Sequence, residues 1–264
     1  MMAARAVEMV DRRVFAALRF VDSAGRDINS PVAITAVPPI RVFRNRSGLA
    51  IVASAAGLSA DESMFDAPST SVGSLAYQLS LRPFDRGLAP RSFVLSLPRD
   101  PQAANSSAPN SLFRPIDVEL LASTDSVPSG QAAAVRVTVA RADDQRRVAG
   151  ALVRIETTND GRSARGVTNQ AGEALLLIYG LPLSAAGAGA TVVSDHAANL
   201  DMIVDPMLVS FHDETAFRVN RSDMSPLIDP DDIETRLAAN ATAPQPIRIA
   251  AGKTSMMTLD WSPP

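Results

Sequence analysis

From Ala133 onward the chain alternates apolar and polar positions. Val135, Val137 and Val139 interleave with Arg136, Thr138 and Ala140, the period-two pattern of a half-buried strand. The polar run 142–147 follows as a turn, and 150–156 (GALVRIE) reads as a second strand. Asn159-Asp160-Gly161 is a hairpin signal, because Asn or Asp before Gly supplies the positive φ of a tight turn. A short strand over 165–168, a turn at 169–172 and a strongly apolar strand over 173–179 complete the stretch. Strands spaced this evenly predict an antiparallel sandwich.

The first hundred residues repeat that rhythm. Segments 14–21, 31–36, 41–44, 49–54, 75–81 and 92–97 predict six short strands, with turns at 22–27, 45–48 and 83–91 and a surface loop over 59–73. Residues 99–114 (RDPQAANSSAPNSLFR) are rich in Pro, Ser, Asn and Ala, as linkers are. The pattern predicts an N-terminal sandwich-like domain over 1–100, a linker over 101–114 and a second sandwich over 115–264, in which 115–122 forms an edge strand. Pro206 interrupts the apolar runs 202–204 and 207–211, so about 197–243 reads as an insertion. One short helix is predicted at 229–239: Asp229 is a good N-cap, Pro230 suits the first helical position, and Asp231, Asp232 and Glu234 favour the positive end of the helix dipole. Residues 246–250 and 256–261 read as a closing hairpin around Ala251-Gly252, with Trp261 as its anchor.

The second half also resembles a known family. Val148-Ala149-Gly150-Ala151-Leu152-Val153, Thr168-Asn169-Gln170-Ala171-Gly172-Glu173 and Gly180-Leu181-Pro182 resemble a carboxypeptidase regulatory-like domain. The resemblance implies a transthyretin-like sandwich and carries little about function. Across the whole chain, "RVFAALRFVD", "FRNRSGLAIV", "SFVLSLPR" and "IAAGKT" resemble proteins of bacterial contractile injection systems, the phage-tail-like particles. That resemblance implies a structural subunit whose partners are other protein subunits of the particle.

Composition narrows the classes. With 46% hydrophobic and 20% charged residues the chain is globular rather than disordered. A net charge of −3 leaves no electrostatic footprint for nucleic acid or an anionic membrane. All basic residues but Lys253 are Arg, a bias that fits a GC-rich bacterial genome. The absence of cysteine excludes disulfides, thiolate metal sites and a Cys nucleophile. Charges scattered through 1–20 leave no signal-peptide core, and no apolar run approaches the roughly 20 residues of a membrane span. The expected location is the cytoplasm, within an assembled particle.

Candidate chemistry is sparse. His196 and His212 lie near Asp195, Asp201, Asp205 and Asp213, which makes a two-His, one-carboxylate metal site conceivable, although the spacing matches no ligand motif. Ser210, His212 and Asp213 are adjacent rather than positioned to converge, and no G-x-S-x-G elbow exposes a nucleophile. The acidic run 229–234 could offer oxygens to calcium, but it lacks the glycine and roughly twelve-residue spacing of an EF-hand, and helix capping accounts for it. Gly187-Ala188-Gly189 does not make a phosphate loop. Arg82, Asp85, Arg86 and Arg91 could bind a partner or form a solvated, salt-bridged turn. No residue is therefore assigned as catalytic, cofactor-binding or metal-ligating, and no cofactor is expected. The reading is a non-catalytic structural subunit. Its rivals are a carbohydrate-binding or accessory domain of an enzyme system, which would need exposed aromatic platforms where only Trp261, Tyr77, Tyr179 and nine Phe are available, a metal-dependent hydrolase using the His196/His212 region, and a periplasmic or cell-surface adhesin module.

Overall fold

The computed structural model describes residues 14–59, 70–129, 131–182, 184–185, 191–192, 195–212 and 227–263. The chain is mainly β, with a short helix near its C-terminal end. It divides into two compact units, each assembled from three segments. Unit 1 takes Met1–Arg19, Ala36–Gln78 and Leu95–Asp117; unit 2 takes Phe20–Thr35, Leu79–Val94 and Val118–Pro264. The units interleave along the sequence, where composition pointed to a single boundary at 101–114.

All six strands expected in the first hundred residues form: β1 (Ala16–Val21), β2 (Val32–Val37), β3 (Ile40–Arg44), β4 (Ala50–Ala55), β5 (Leu75–Pro83) and β6 (Arg91–Leu97). Together with β7 (Ile116–Glu119) they make one sheet in the order β3-β4-β1-β7 and another in the order β2-β5-β6. Asn45 to Gly48 closes the β3–β4 hairpin as predicted, with Gly48 at φ 85°. In unit 1 the buried side chains include Phe15, Leu18, Val52, Leu58, Tyr77 and Leu97, and the Tyr77 hydroxyl donates to the Ala56 carbonyl at 2.5 Å. The stretch 101–114 is an ordered loop of this unit rather than a linker. The Asp100 amide donates to the Asn110 carbonyl and the Leu112 amide to the Asp100 carbonyl, Arg99 donates to the carbonyls of Pro109 and Ser111, and Asn105 donates to the Asp100 carboxylate. Ser and Asn, read as linker composition, serve here as turn formers.

Unit 2 holds the sandwich read from the central stretch. Its strands are β8 (Ala133–Arg141), β9 (Arg147–Ala149), β10 (Leu152–Thr157), β11 (Ser163–Val167), β12 (Glu173–Ile178), β15 (His196–Ile203), β16 (Ser210–His212), β17 (Gln245–Ile249) and β18 (Thr254–Trp261), with a two-residue pair β13 (Ser184–Ala185) and β14 (Thr191–Val192). One sheet runs β11-β10-β15-β17; the other runs β12-β8-β9-β16, with β18 added beside β8. The alternation dictates the core. Val135, Val137 and Val139 of one sheet share a buried cluster with Val153, Ile155, Leu200 and Met202 of the other. Asn159-Asp160-Gly161 makes the β10–β11 hairpin, with Gly161 at φ 64°.

Two expectations are corrected. Residues 197–243 are not an insertion: β15 sits in the middle of its sheet, between β10 and β17, and supplies Ala198, Leu200 and Met202 to the core. Nor do the last two strands form a hairpin. β17 pairs with β15 in one sheet, whereas β18 pairs in parallel with β8 in the other. Buried Ala250 and Ala251 carry the chain across the end of the core, and the Gly252 amide, at φ 72°, donates to the Ala132 carbonyl. Small side chains permit that crossing; Trp261 then packs into the core, stacked on Phe211 at 5.7 Å.

Candidate functional site

The outward face of the β11-β10-β15 sheet carries a linked set of charged side chains. Register fixes its rows: Leu152 stands opposite Val167 and Ile203, Arg154 opposite Arg165 and Asp201, and Glu156 opposite Ser163 and Asn199. The face therefore grades from apolar through charged to polar. The helix α1 (Pro230–Leu237) lies over the first two rows. Ile228 and Ile233 bury against Leu152, Val167 and Ile203, together with Ala89 and Leu121, while Glu234 reaches the charged row.

Like charges placed directly opposite each other on a sheet destabilise it, and Arg154 faces Arg165 in that way. Glu234 resolves the conflict by bridging them, with Oε1 accepting from Arg154 and Oε2 from Arg165, both at 2.9 Å. Arg154 also forms a two-pronged pair with Asp201 at 2.8 and 2.9 Å. Arg165 pairs with Glu119 and, at 2.8 Å, with Asp231.

Arg91 ties the helix start to β6. It is 1% exposed. Its guanidinium donates to the carboxylates of Asp229 (3.0 Å) and Asp231 (2.7 Å) and to the carbonyls of Glu119 (2.8 Å) and Ser92 (3.0 Å). Asp229 is the N-cap as predicted, accepting from the amides of Asp231 and Asp232, and it also accepts from the Val94 amide. Asp232 pairs with Arg236 one turn later, and Arg236 continues to Asp205.

The electrostatics follow from these partners. The Arg154 guanidinium is held above its ordinary pKa chiefly by Asp201, against the opposing effect of burial and with help from Glu234. Burial alone would lower Arg165, but the charge of Glu119 and the hydrogen bonds to Glu119 and Asp231 raise it overall. Burial pushes the Asp231 carboxyl up, and Arg91 and Arg165 outweigh it, holding the group below the usual carboxylate range. Asp205 likewise lies low, because Arg236 and the Met207 amide overcome its desolvation.

Beside the network opens a cleft of about 670 Å3, walled by Glu119, Arg154, Glu156, Ser163, Arg165, Asn199, Asp201 and Glu234. The walls contain neither histidine nor cysteine, and the oxygens of Glu119, Asp201 and Glu234 accept from guanidinium groups. This arrangement fastens a helix to a sheet.

The residues weighed from the sequence fall elsewhere or change role. His196 lies on β15, its ring 3.1 Å from the Pro182 carbonyl, whereas His212 lies on β16 in the opposite sheet, so the two histidines belong to separate strand ladders. Asp201 and Asp205 are spent on arginines. Asp213 and Gly187-Ala188-Gly189 lie outside the described residues. Among the described residues no group of three or more His, Asp or Glu could hold a metal ion. The acidic run 229–234 caps the helix and meets arginines. Tyr77 and Trp261 are buried, and Tyr179 lies under the Arg26 guanidinium, so none is an open aromatic platform. Arg91, read as part of a surface turn, is the most deeply buried charge in the network; a flanking β-strand pattern was its only sequence signal. Among the described residues no helix is long and apolar enough to cross a membrane. Comparison with protein-family models, with curated proteins and with solved structures finds no match.

Proposed function

We propose that the chain is a non-catalytic structural and protein-interaction subunit, made in the cytoplasm and working within a bacterial contractile injection system or a related phage-tail-like particle. The observation that carries the non-catalytic reading is the fate of its charged groups. The Arg91, Arg154 and Arg165 guanidiniums and the Glu119, Asp201, Asp229, Asp231 and Glu234 carboxylates are paired with one another across β6, β7, β10, β11, β15 and the start of α1, and Glu156, farther along the same face, stands outside these pairs. Catalytic acids and bases need oxygens and nitrogens turned toward a substrate; these are turned toward each other. A sandwich stiffened in this way suits a building block that presents strand edges and loops to neighbours. The particle itself is proposed on the sequence patterns around Val14, Phe43, Ser92 and Ile249 and on the regulatory-like stretch 148–182.

The test is affinity purification of the tagged chain from its native lysate, followed by mass spectrometry and negative-stain microscopy. Recovery of sheath, tube or baseplate proteins is the expected result. A chain that emerges without any such protein, or that hydrolyses a substrate only when loaded with metal, overturns the proposal.

A further inference from the structure

The sheet face beneath α1 is covered over its apolar and charged rows, and the next row is open. There Glu156 on β10 stands between Ser163 on β11 and Asn199 on β15, and all three are exposed. Their side chains have no hydrogen-bond or ion-pair partner among the described residues. The other charge on this face of β10, Arg154, is held by Asp201 and Glu234. Arg162, at the nearby hairpin, is held by Asp160 and the Tyr179 carbonyl. Glu156 is therefore an unpaired carboxylate on the wall of the cleft of about 670 Å3.

The charge beside it is one-sided. The neighbouring network joins three guanidiniums to five carboxylates, so negative charge is in excess before Glu156 adds its own. The row supplies more than charge. Neighbouring strands lie about 4.8 Å apart, so the Glu156 carboxylate, the Asn199 amide carbonyl and the Ser163 hydroxyl set acceptors side by side on the cleft wall. A guanidinium carries five N–H donors and a primary ammonium three, and neither carries an acceptor.

We infer that the cleft binds a basic group, a guanidinium or a primary ammonium, at Glu156, with Asn199 and Ser163 taking its remaining donors. An anion does not suit this wall, because its arginines already meet carboxylates. Nor does a metal ion, since no group of three or more His, Asp or Glu among the described residues could hold one. The volume lies within the range of small-ligand pockets, which leaves room for the ligand beyond its basic group. A free polyamine presents this chemistry, and so does an arginine or lysine side chain of a neighbouring protein. The site does not depend on the particle assignment.

Calorimetric titration of the full chain tests it with three probes: spermidine, agmatine and the capped peptide acetyl-Gly-Arg-Gly-amide. At least one should bind, with an affinity that falls as salt rises. Glu156→Gln keeps the shape and removes the charge, so it should weaken binding about ten-fold or more. Asn199→Ala should weaken it by less. Both side chains are exposed and unpaired, so circular dichroism and urea unfolding should not change. Glu173→Gln removes an exposed carboxylate from the opposite sheet and should leave binding as it was. Tighter binding of the peptide than of the two free amines assigns the site to a partner's side chain, and the reverse order assigns it to a small cation. Failure of all three probes to bind at millimolar concentration overturns the inference. So do equal losses in Glu156→Gln and Glu173→Gln, because the attraction would then belong to the net charge of the chain.

Discussion

Arg91 shows how much one side chain can join. Its partners lie 28, 138 and 140 residues away in sequence, so no local spacing reveals them. The sequence pattern grouped it with Arg82, Asp85 and Arg86 at a turn, whereas folding buries it between β6 and the start of α1. Removing one member of a buried ion pair leaves the other charged and unsolvated. Arg91→Met should therefore cost about 3 kcal/mol of stability, measured by urea unfolding. Glu234→Gln keeps one carbonyl acceptor between Arg154 and Arg165 and should cost only about 1 kcal/mol. Equal and small losses in both variants would mean that the network does not fasten the helix. The cap at Asp229, by contrast, was legible, because capping is written in adjacent residues.

Elements were legible where the signal is local. Alternation placed β8, β10 and β12, and Asn159-Asp160-Gly161 placed the β10–β11 hairpin. Which strands pair was another matter. Alternation says which residues face inward but not which ladder they join, so β17 and β18 looked like a hairpin and β15 like part of an insertion. Gly172 shows that a turn can be fixed by tertiary contact as well as by φ. At φ 70° its position already disfavours a side chain, and a Cβ there would lie 2.7 Å from the Val139 carbonyl and 3.0 Å from the Arg147 Cβ. Gly25, at φ 73°, has nothing within 4 Å. Gly172→Ala should thus cost more than about 2 kcal/mol and Gly25→Ala about 1 kcal/mol. Chemical denaturation of both variants checks the order, and equal costs would show that strain in φ, not crowding, governs Gly172.

At the scale of the whole molecule, the interleaved units make the chain hard to divide. Unit 2 includes Phe20–Thr35, which contributes the Ser23 hydroxyl on the Leu177 carbonyl and Arg26 over Tyr179, and Leu79–Val94, which contributes Ala89 to the cluster under the helix and Arg91 to the network. A fragment of residues 115–264 lacks both segments. It should melt well below the full chain and bind a dye specific for exposed apolar surface; a fragment melting like the intact protein would show that residues 115–264 suffice. Composition hid this arrangement because 101–114 has the residues of a linker and the bonds of a folded loop. The parallel pairing of Thr254 with Ala134 also has a consequence for synthesis. A ribosome makes β8 about 120 residues before its neighbour, which at bacterial and eukaryotic elongation rates is roughly 6 to 24 s. For that time one flank of the central strand stands open in the nascent chain. Among the described strand pairings this separation is the widest, so Ala133–Arg141 is the stretch where a chaperone that shields emerging strands would have the most to do.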